Sequence, residues 1–535
     1  MANPDLLPSQ LQAQFYPSQP QGPFPEMTNP RYQPGSEHPF GVCFSGGGMR
    51  SFSASLGQMR GLNSLGLLDT VGAISCVSGG TWFGALASYA PTSTDDTVLL
   101  GPVIPPEQLT LDNVSEIDQR NIASPLPRIT NITISALLTS LYFQYKLGKL
   151  PLNRIYSRII GGLLLEPFSL NSSDTYFSLD ADSVNSIVER NPDLTKSNFY
   201  TIRPNRPYFI AGATQIYPLG TNKTMRLFEY SSLYVGTPQL FPKIGPQAQD
   251  FGGGFLESFA FDSDTPSQVN SNYATVVTPE PPFLLSDLMG SSGAAPAIIF
   301  AIINEPDYFP EFCYWPVQNV GTEAATSYSF ADGGSLENTG IVSLLYRQYP
   351  VILAFVNTST PLGSTDPLNA YEGVTEQITR LFGFKPENPG FNTQDTQIFP
   401  SDKFQALADG LKAAKAQGKP TYFKDTYTIK PNNTFDIPPY PGNGEVTIVW
   451  FYNDINQEWK NKISDSGVKE LLESNNPENF FGNFPNYKTT FQNKSDLGIP
   501  EILKLTPQQV NLLAHMTCYT VINAEEMLKS LSCSI

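Results

Sequence analysis

The chain has 535 residues, 40% hydrophobic and 15% charged, a balance that supports a substantial core and excludes wholesale disorder. Its 32 basic residues stand against 49 acidic ones, a net charge of −17, so bulk electrostatics argue against nucleic acid or an anionic membrane surface as partners. Five cysteines with no CxxC or CxxH pair argue against a structural zinc site and suit a reducing compartment.

In chain order, residues 1–38 are rich in Pro and Gln and predict an extended leader, laid on the surface or disordered. Met1–Gln12 lacks the basic and apolar regions of a signal peptide, and the longest near-continuous apolar run, Ala294–Ile303, is half a membrane span and contains Pro296. A soluble, cytoplasmic chain is expected. The Asn-x-Ser/Thr triplets at Asn113, Asn131, Asn171, Asn222, Asn357, Asn432 and Asn493 carry little weight in so polar a chain.

Structure is predicted to begin with a strand at Phe40–Phe44, followed by a glycine loop and a helix over Arg50–Leu68. A second strand at Val71–Val77 ends at Ser78-Gly79-Gly80, before a helix over Trp82–Tyr89. This βαβα order implies a parallel sheet with a right-handed crossover. The rhythm lapses over 91–200, where Ile134–Phe168 is strongly apolar and carries Tyr142, Phe143, Lys146, Lys149, Arg154 and Arg158. That segment reads equally as a lid opening on an interface or as a buried helix pair. Strands are expected again at Tyr208–Ala211, Met225–Tyr230, Tyr328–Ala331, Val351–Val356, Thr421–Ile429 and Val446–Tyr452. Helices are expected at Ile298–Ile303, Ile341–Arg347, Val374–Phe382 and Phe404–Ala416, with Pro507–Leu531 closing the chain.

Three short stretches carry chemistry. Ser45-Gly46-Gly47-Gly48-Met49-Arg50 follows a strand and opens a helix, so its N–H groups can form a nest for a phosphate or an oxyanion. It lacks the spacing of a dinucleotide fingerprint and the Gly-Lys-Ser/Thr of a Walker loop. Cys76-Val77-Ser78-Gly79-Gly80 puts a serine on a strand-to-helix turn, where a nucleophile is held exposed, although Cys76 replaces the glycine usual on that side. Ala331-Asp332-Gly333-Gly334 puts an aspartate at a strand end. Each alone is also an ordinary turn. Together, each at a strand end before a helix, they would face one edge of a parallel sheet. The two histidines, His38 in the leader and His515 in the final helix, are poorly placed for a Ser-His-Asp triad. If Ser78 is a nucleophile, Asp332 must be its base directly.

These stretches resemble the catalytic domain of cytosolic phospholipase A2 and fungal phospholipase B, within the broader patatin-like acyl hydrolases. Leu227–Gly236 looks like that family's Phe-Glu-Phe-Thr-Pro-Tyr-Glu block, and Ser291–Pro296 like the Ser-x-Ala-Ala-Pro helix start of patatins. The resemblance covers roughly residues 40–360. It implies a three-layer α/β fold with a central, mainly parallel sheet, a single hydrolase domain over 39–535 and a cap insertion over 92–200. It implies a Ser78/Asp332 dyad that cleaves fatty acyl esters of phospholipid or lysophospholipid without metal or cofactor. The oxyanion would rest on the N–H groups of Gly46, Gly47, Gly48 and Gly79. Arg50 would steady the loop or contact a head-group phosphate, and Arg347 is a weak second candidate for the phosphate. The family's calcium-binding targeting module has no counterpart, so transient contact with a membrane or micelle would be peripheral. A non-catalytic lipid- or phosphate-binding protein on the same fold, or an esterase or transacylase of small esters, stays open.

Overall fold

Phe40–Phe44 and Val71–Val77 are buried at every position, as near-continuous apolar runs are when a strand is covered on both faces. A computed structural model describes residues 10–18, 24–35, 37–129, 131–217, 224–242, 250–278, 281–294, 310–321, 323–385, 394–473, 483–487 and 505–533. The expected helix Ile298–Ile303, most of the Ala294–Ile303 run, and the triplets at Asn222 and Asn493 lie outside these. In chain order the strands are β1 (Gln10–Pro17), β2 (Phe40–Phe44), β3 (Val71–Val77), β4 (Tyr176–Ser178), β5 (Phe199–Thr201) and β6 (Tyr208–Tyr217). There follow β7 (Thr224–Ser231), β8 (Tyr234–Phe241), β9 (Phe251–Glu257), β10 (Gln268–Asn270), β11 (Tyr273–Val277) and β12 (Glu311–Tyr314). The last are β13 (Thr326–Asp332), β14 (Val351–Val356), β15 (Ala370–Tyr371), β16 (Val374–Thr375), β17 (Tyr422–Thr428) and β18 (Glu445–Tyr452).

The principal sheet runs β10-β11-β1-β9-β8-β7-β6-β3-β2-β14-β18-β17, and β12 and β13 join it through β6. Parallel pairing is confined to β6-β3-β2-β14-β18; the other pairs of this sheet are antiparallel. The sheet is therefore mixed, which corrects the expectation of a mainly parallel one. After β6 the chain turns straight back on itself, and a short connection can join only antiparallel neighbours.

Around β2 and β3 the sheet is covered on both sides. On one face Phe44 packs against Phe83 of α2 (Gly79–Tyr89), which in turn meets Phe52 of α1 (Gly48–Ser64). On the other, Gly41 leaves room for Leu344 of the helix Ile341–Tyr346 and for Tyr349; a Cβ there would stand 3.0 Å from the Tyr349 ring. The helix expected over Arg50–Leu68 runs as α1 over Gly48–Ser64 and is buried nearly all round. The C-terminal helix Pro507–Ile522 covers its outer side. Gly57 and Gly61 let the two backbones close up: a Cβ at Gly57 would fall 2.0 Å from the Ala514 carbonyl oxygen. The expected closing helix is broken into Pro507–Ile522 and Glu525–Ser532.

The leader does more than lie on the surface. β1 fills the place between β9 and β11, and its alternating Leu11, Ala13 and Phe15 are buried, the period-2 pattern of a half-buried strand. Further along, buried Glu26 meets the Arg347 guanidinium at 2.6 Å, and Glu229 of β7 takes the same guanidinium at 2.9 Å. The Tyr234 hydroxyl donates to Glu26 as well. Arg347 is thus spent inside the fold, on two carboxylates, rather than at a surface where a head group could reach it.

The segment Ile134–Phe168 divides in two. Arg154 is fully buried, pairing with Asp287 at 2.8 Å and with Asp262, and Arg158 reaches Asp287 at 3.4 Å, so this half is anchored by ion pairs. The helix Asn131–Lys146 instead presents Tyr142, Phe143 and, just beyond it, Leu147 outward. No helix of the described residues is long and apolar enough to cross a membrane. Asn357 and Asn432 are buried, so their triplets are closed to glycosylation in the folded chain.

Arg347→Met would leave Glu26 and Glu229 buried without their shared cation. Unfolding in urea should show a loss of about 3–5 kcal/mol, the cost of stranding a buried charge; an unchanged midpoint would contradict the pairing.

Candidate active site

β6 is paired along one edge by two strands that approach from opposite ends. β3 runs parallel to its first half, ending with Val77 opposite Gly212, and β13 runs antiparallel to its second half, ending with Asp332 opposite Ala213. The carboxyl ends of β3 and β13 therefore meet head to head. The expectation that all three motifs share the edge of a parallel sheet is corrected in this respect: Asp332 comes from an antiparallel strand. The meeting brings the Ser78 hydroxyl to Oδ2 of Asp332, to which it donates at 2.6 Å.

Ser78 has φ 54° and ψ −121°, a conformation costly for a residue with a side chain and typical of a sharp strand-to-helix turn. The turn is tight enough to require glycine after it. A Cβ on Gly79 would lie 2.0 Å from the Gly48 carbonyl oxygen, and one on Gly80 would lie 2.4 Å from that of Phe44. Cys76 fits because α2 presents Gly84 to it; a Cβ at Gly84 would stand 2.6 Å from the Cys76 sulfur.

Asp332 is held from both sides, since Oδ1 accepts the Gly334 N–H at 2.8 Å while Oδ2 takes Ser78. One edge of the side chain stays accessible, but protein encloses the rest. Burial pushes the carboxyl up to about 6, against the opposing pull of the Ser78 and Gly334 hydrogen bonds. A carboxylate poised near neutrality beside a serine hydroxyl is able to take its proton.

Against this pair lies the glycine loop. Gly46 donates its N–H to the Asn338 carbonyl at 3.0 Å, which commits that donor, and a Cβ on Gly46 would fall 2.1 Å from Oδ1 of Asn338. Gly47 (φ 141°) and Gly48 (φ 57°) adopt backbone conformations that favour glycine. Gly48 and Gly79 are the first residues of α1 and α2, so their N–H groups have no acceptor within their own helices. The two helix N-termini abut beside Ser78, and their dipoles favour negative charge there.

Arg50 is buried. Its Nε donates to the Asn357 carbonyl at 3.0 Å and its Nη1 to that of Tyr487, so the guanidinium braces the loop on two backbone carbonyls. Burial lowers it to about 9. Asn357, at the end of β14, is a hub that the sequence reading treated as a mere glycosylation triplet. Its N–H donates to Ser45 Oγ at 2.7 Å and its amide exchanges hydrogen bonds with Gln58. Two further residues were missed in their roles: Asn338, six positions after Asp332, and Ser292, whose hydroxyl accepts the Ser78 N–H at 3.3 Å. Ser292 lies in the Ser291–Pro296 stretch, where a helix was expected to start; the helix Leu285–Ser292 instead ends there. Neither histidine joins the dyad in hydrogen bonding. His515 Nδ1 lies 3.3 Å from Arg60, on the far side of α1, and His38 is buried at the end of the leader.

No family model matches the sequence, and no curated protein matches it. Among solved structures, human GIVD cytosolic phospholipase A2 is similar with a TM-score of 0.47 at 14% identity, over 93% of this chain and 62% of that one. Its complex with the methyl gamma-linolenyl fluorophosphonate inhibitor and terbium chloride gives 0.42 at 12% identity, over 93% and 59%. The complex with methyl gamma-linolenyl fluorophosphonate gives 0.41 at 14%, over 93% and 59%. The chain spans about three fifths of the length of these proteins.

Proposed function

We propose that this chain is a lipid acyl hydrolase of the phospholipase A or lysophospholipase type, working through a Ser78/Asp332 dyad. The observation that carries the reading is the 2.6 Å hydrogen bond from Ser78 at a strained turn to Asp332, beside two abutting helix N-termini. Ser78 Oγ attacks the ester carbonyl carbon while its proton passes to Asp332 Oδ2. The tetrahedral oxyanion forms against the N–H groups of Gly48 and Gly79, with Gly46 and Gly47 shaping the loop. Asp332 then returns the proton to the departing alcohol, leaving an acyl-Ser78. Water, deprotonated by Asp332, releases the fatty acid and restores the serine.

The lipid substrate class is supported by the sequence resemblance and by the outer face of the 92–200 insertion, which we take as a cap. There Tyr142, Phe143 and Leu147 are 40%, 64% and 54% exposed, and the Lys146 ammonium sits 5.1 Å from the Tyr142 ring centre. Apolar tips with a local cation suit shallow contact with a membrane or micelle despite the chain's net −17. Arg50, braced on carbonyls, serves this reading as the support of the loop.

Ser78→Ala should abolish covalent labelling by a fluorophosphonate and lower fatty acid release from phospholipid by roughly 10^4-fold or more. Unchanged release would overturn the nucleophile; no labelling of the wild-type chain would favour a lipid-binding role; release from small esters alone would favour the esterase reading.

The Asp332 carboxyl can accept the serine proton only when ionised. Activity should therefore hold level above pH about 6 and fall tenfold per unit below it. The same shift has a stability consequence. Burial raises the folded carboxyl above its ordinary value of 3.8, so the charged form weakens the fold above pH about 6, and this penalty fades as pH falls. Asp332→Asn should accordingly be inactive yet melt at or above the wild-type temperature at pH 8. A clear loss of stability there would contradict the assigned environment.

A further inference from the structure

Ser292 is fully buried at the end of the helix Leu285–Ser292 and stands at the gap where β3 and β13 meet. Its hydroxyl has three partners: the Gly212 carbonyl at 2.6 Å, the Ser78 N–H at 3.3 Å and Thr81 Oγ1 at 2.7 Å. The hydroxyl owns one hydrogen and the Gly212 carbonyl can only accept. Ser292 therefore donates to Gly212 and accepts from both Ser78 and Thr81, which uses its full capacity. Gly212 is the β6 residue opposite Val77. One hydroxyl thus joins the strand that carries the nucleophile, the first turn of α2 and the strand that splints them. The Ser78 N–H, one residue past the end of β3, finds its acceptor there.

The helix that carries Ser292 is in turn fastened to the insertion. Asp287 takes Arg154 at 2.8 Å and Arg158 at 3.4 Å, and Arg158 also donates to Ser286 Oγ at 2.5 Å. The Tyr156 hydroxyl donates to the Gly293 carbonyl at 2.5 Å, and Trp82 of α2 donates to the Met289 carbonyl at 3.2 Å. The contacts form a continuous path from the helix Ile155–Ile160 to the Ser78 backbone.

We propose that Ser292 is a positioning residue for the nucleophile, and that the insertion sets the presentation of Ser78 through the Arg158–Asp287 pair and Ser292. The inference rests on Ser78 being the nucleophile. Ser292 touches no reacting atom; it holds the strained turn in the conformation that aims the hydroxyl at Asp332. An error of about 1 Å in such a placement costs about 10²-fold in rate. Such a link would let a shift of the insertion be felt at the dyad with no change in the dyad's own residues.

The test uses the full chain and the rate of covalent labelling by a fluorophosphonate, with the labelled peptide identified by mass spectrometry. Wild-type labelling away from Ser78 would remove the nucleophile reading itself. Given labelling at Ser78, Ser292→Ala should slow it 10- to 100-fold and lower kcat alike with KM unchanged, because the nucleophile is misplaced while the rest of the site is left as it was. Ser292→Thr, which keeps the hydroxyl, should label faster than the alanine variant. Arg158→Gln should slow labelling several-fold, and adding it to Ser292→Ala should slow it no further, since both act through one path. Wild-type rates in Ser292→Ala, or strictly multiplicative effects in the double variant, would overturn the proposal. Should Ser292→Ala fail to fold, Arg158→Gln decides alone: slowed labelling with KM unchanged supports the path, and an unchanged rate refutes it.

Discussion

β6 splints two strands that run toward each other, and the candidate site depends on that pairing. Gly212 and Ala213 are consecutive, so the strand ends opposite them, Val77 and Asp332, cannot drift apart without breaking sheet hydrogen bonds. The 2.6 Å contact between Ser78 and Asp332 is a consequence of register. A one-residue slip of either strand would turn its side chains to the opposite face and undo the contact. Sheets are well suited to hold such a pair, because many ladder bonds fix the register cooperatively.

The rest of the site is built to tolerate the strain this meeting creates. Ser78 sits at a positive φ, and two glycines after it allow α2 to start against Phe44 and Gly48. Behind the glycine loop, buried polar groups are paired: Arg50 on two backbone carbonyls, Asn357 on the Ser45 and Gln58 side chains, Ser292 on the Gly212 carbonyl. Such networks are costly when half satisfied and rigid when complete. Below them α1 is held on its outer side by Pro507–Ile522, so a helix more than four hundred residues away in sequence steadies the loop that α1 begins with.

How much of this was legible varies with how local the cause is. β2, β3 and β14 were readable to the residue, because strands buried on both faces appear as unbroken apolar runs between turn signals. β8 to β12 were not. Pro238 and the run Phe251-Gly-Gly-Gly look like loop sequence, yet β8 and β9 pair across a register shift that admits the glycines at positive φ. β1 hid within a Pro/Gln-rich leader; its alternation of Leu11, Ala13 and Phe15 was present but short, and its neighbours β9 and β11 lie more than two hundred residues away. The sequence left the segment of Arg154 and Arg158 open between a lid and a buried helix pair, because an aspartate at 287 gives no sign there of where it will be buried.

The sequence by itself determined the local chemistry: a serine at the end of an apolar strand with glycines after it, a triple glycine opening a helix, an aspartate before two more glycines, and histidines placed away from all three. These are read within a few residues, where strand, turn and helix preferences act. Tertiary structure alone decided that β13 enters antiparallel, that Gly46 spends its N–H on Asn338, and that Ser292 and Asn357 hold the turn and the loop. The physical reason is that hydrogen bonds between residues two or three hundred positions apart obey no local period. Only the register along β6 and the packing of helices on the sheet bring those atoms within reach of one another.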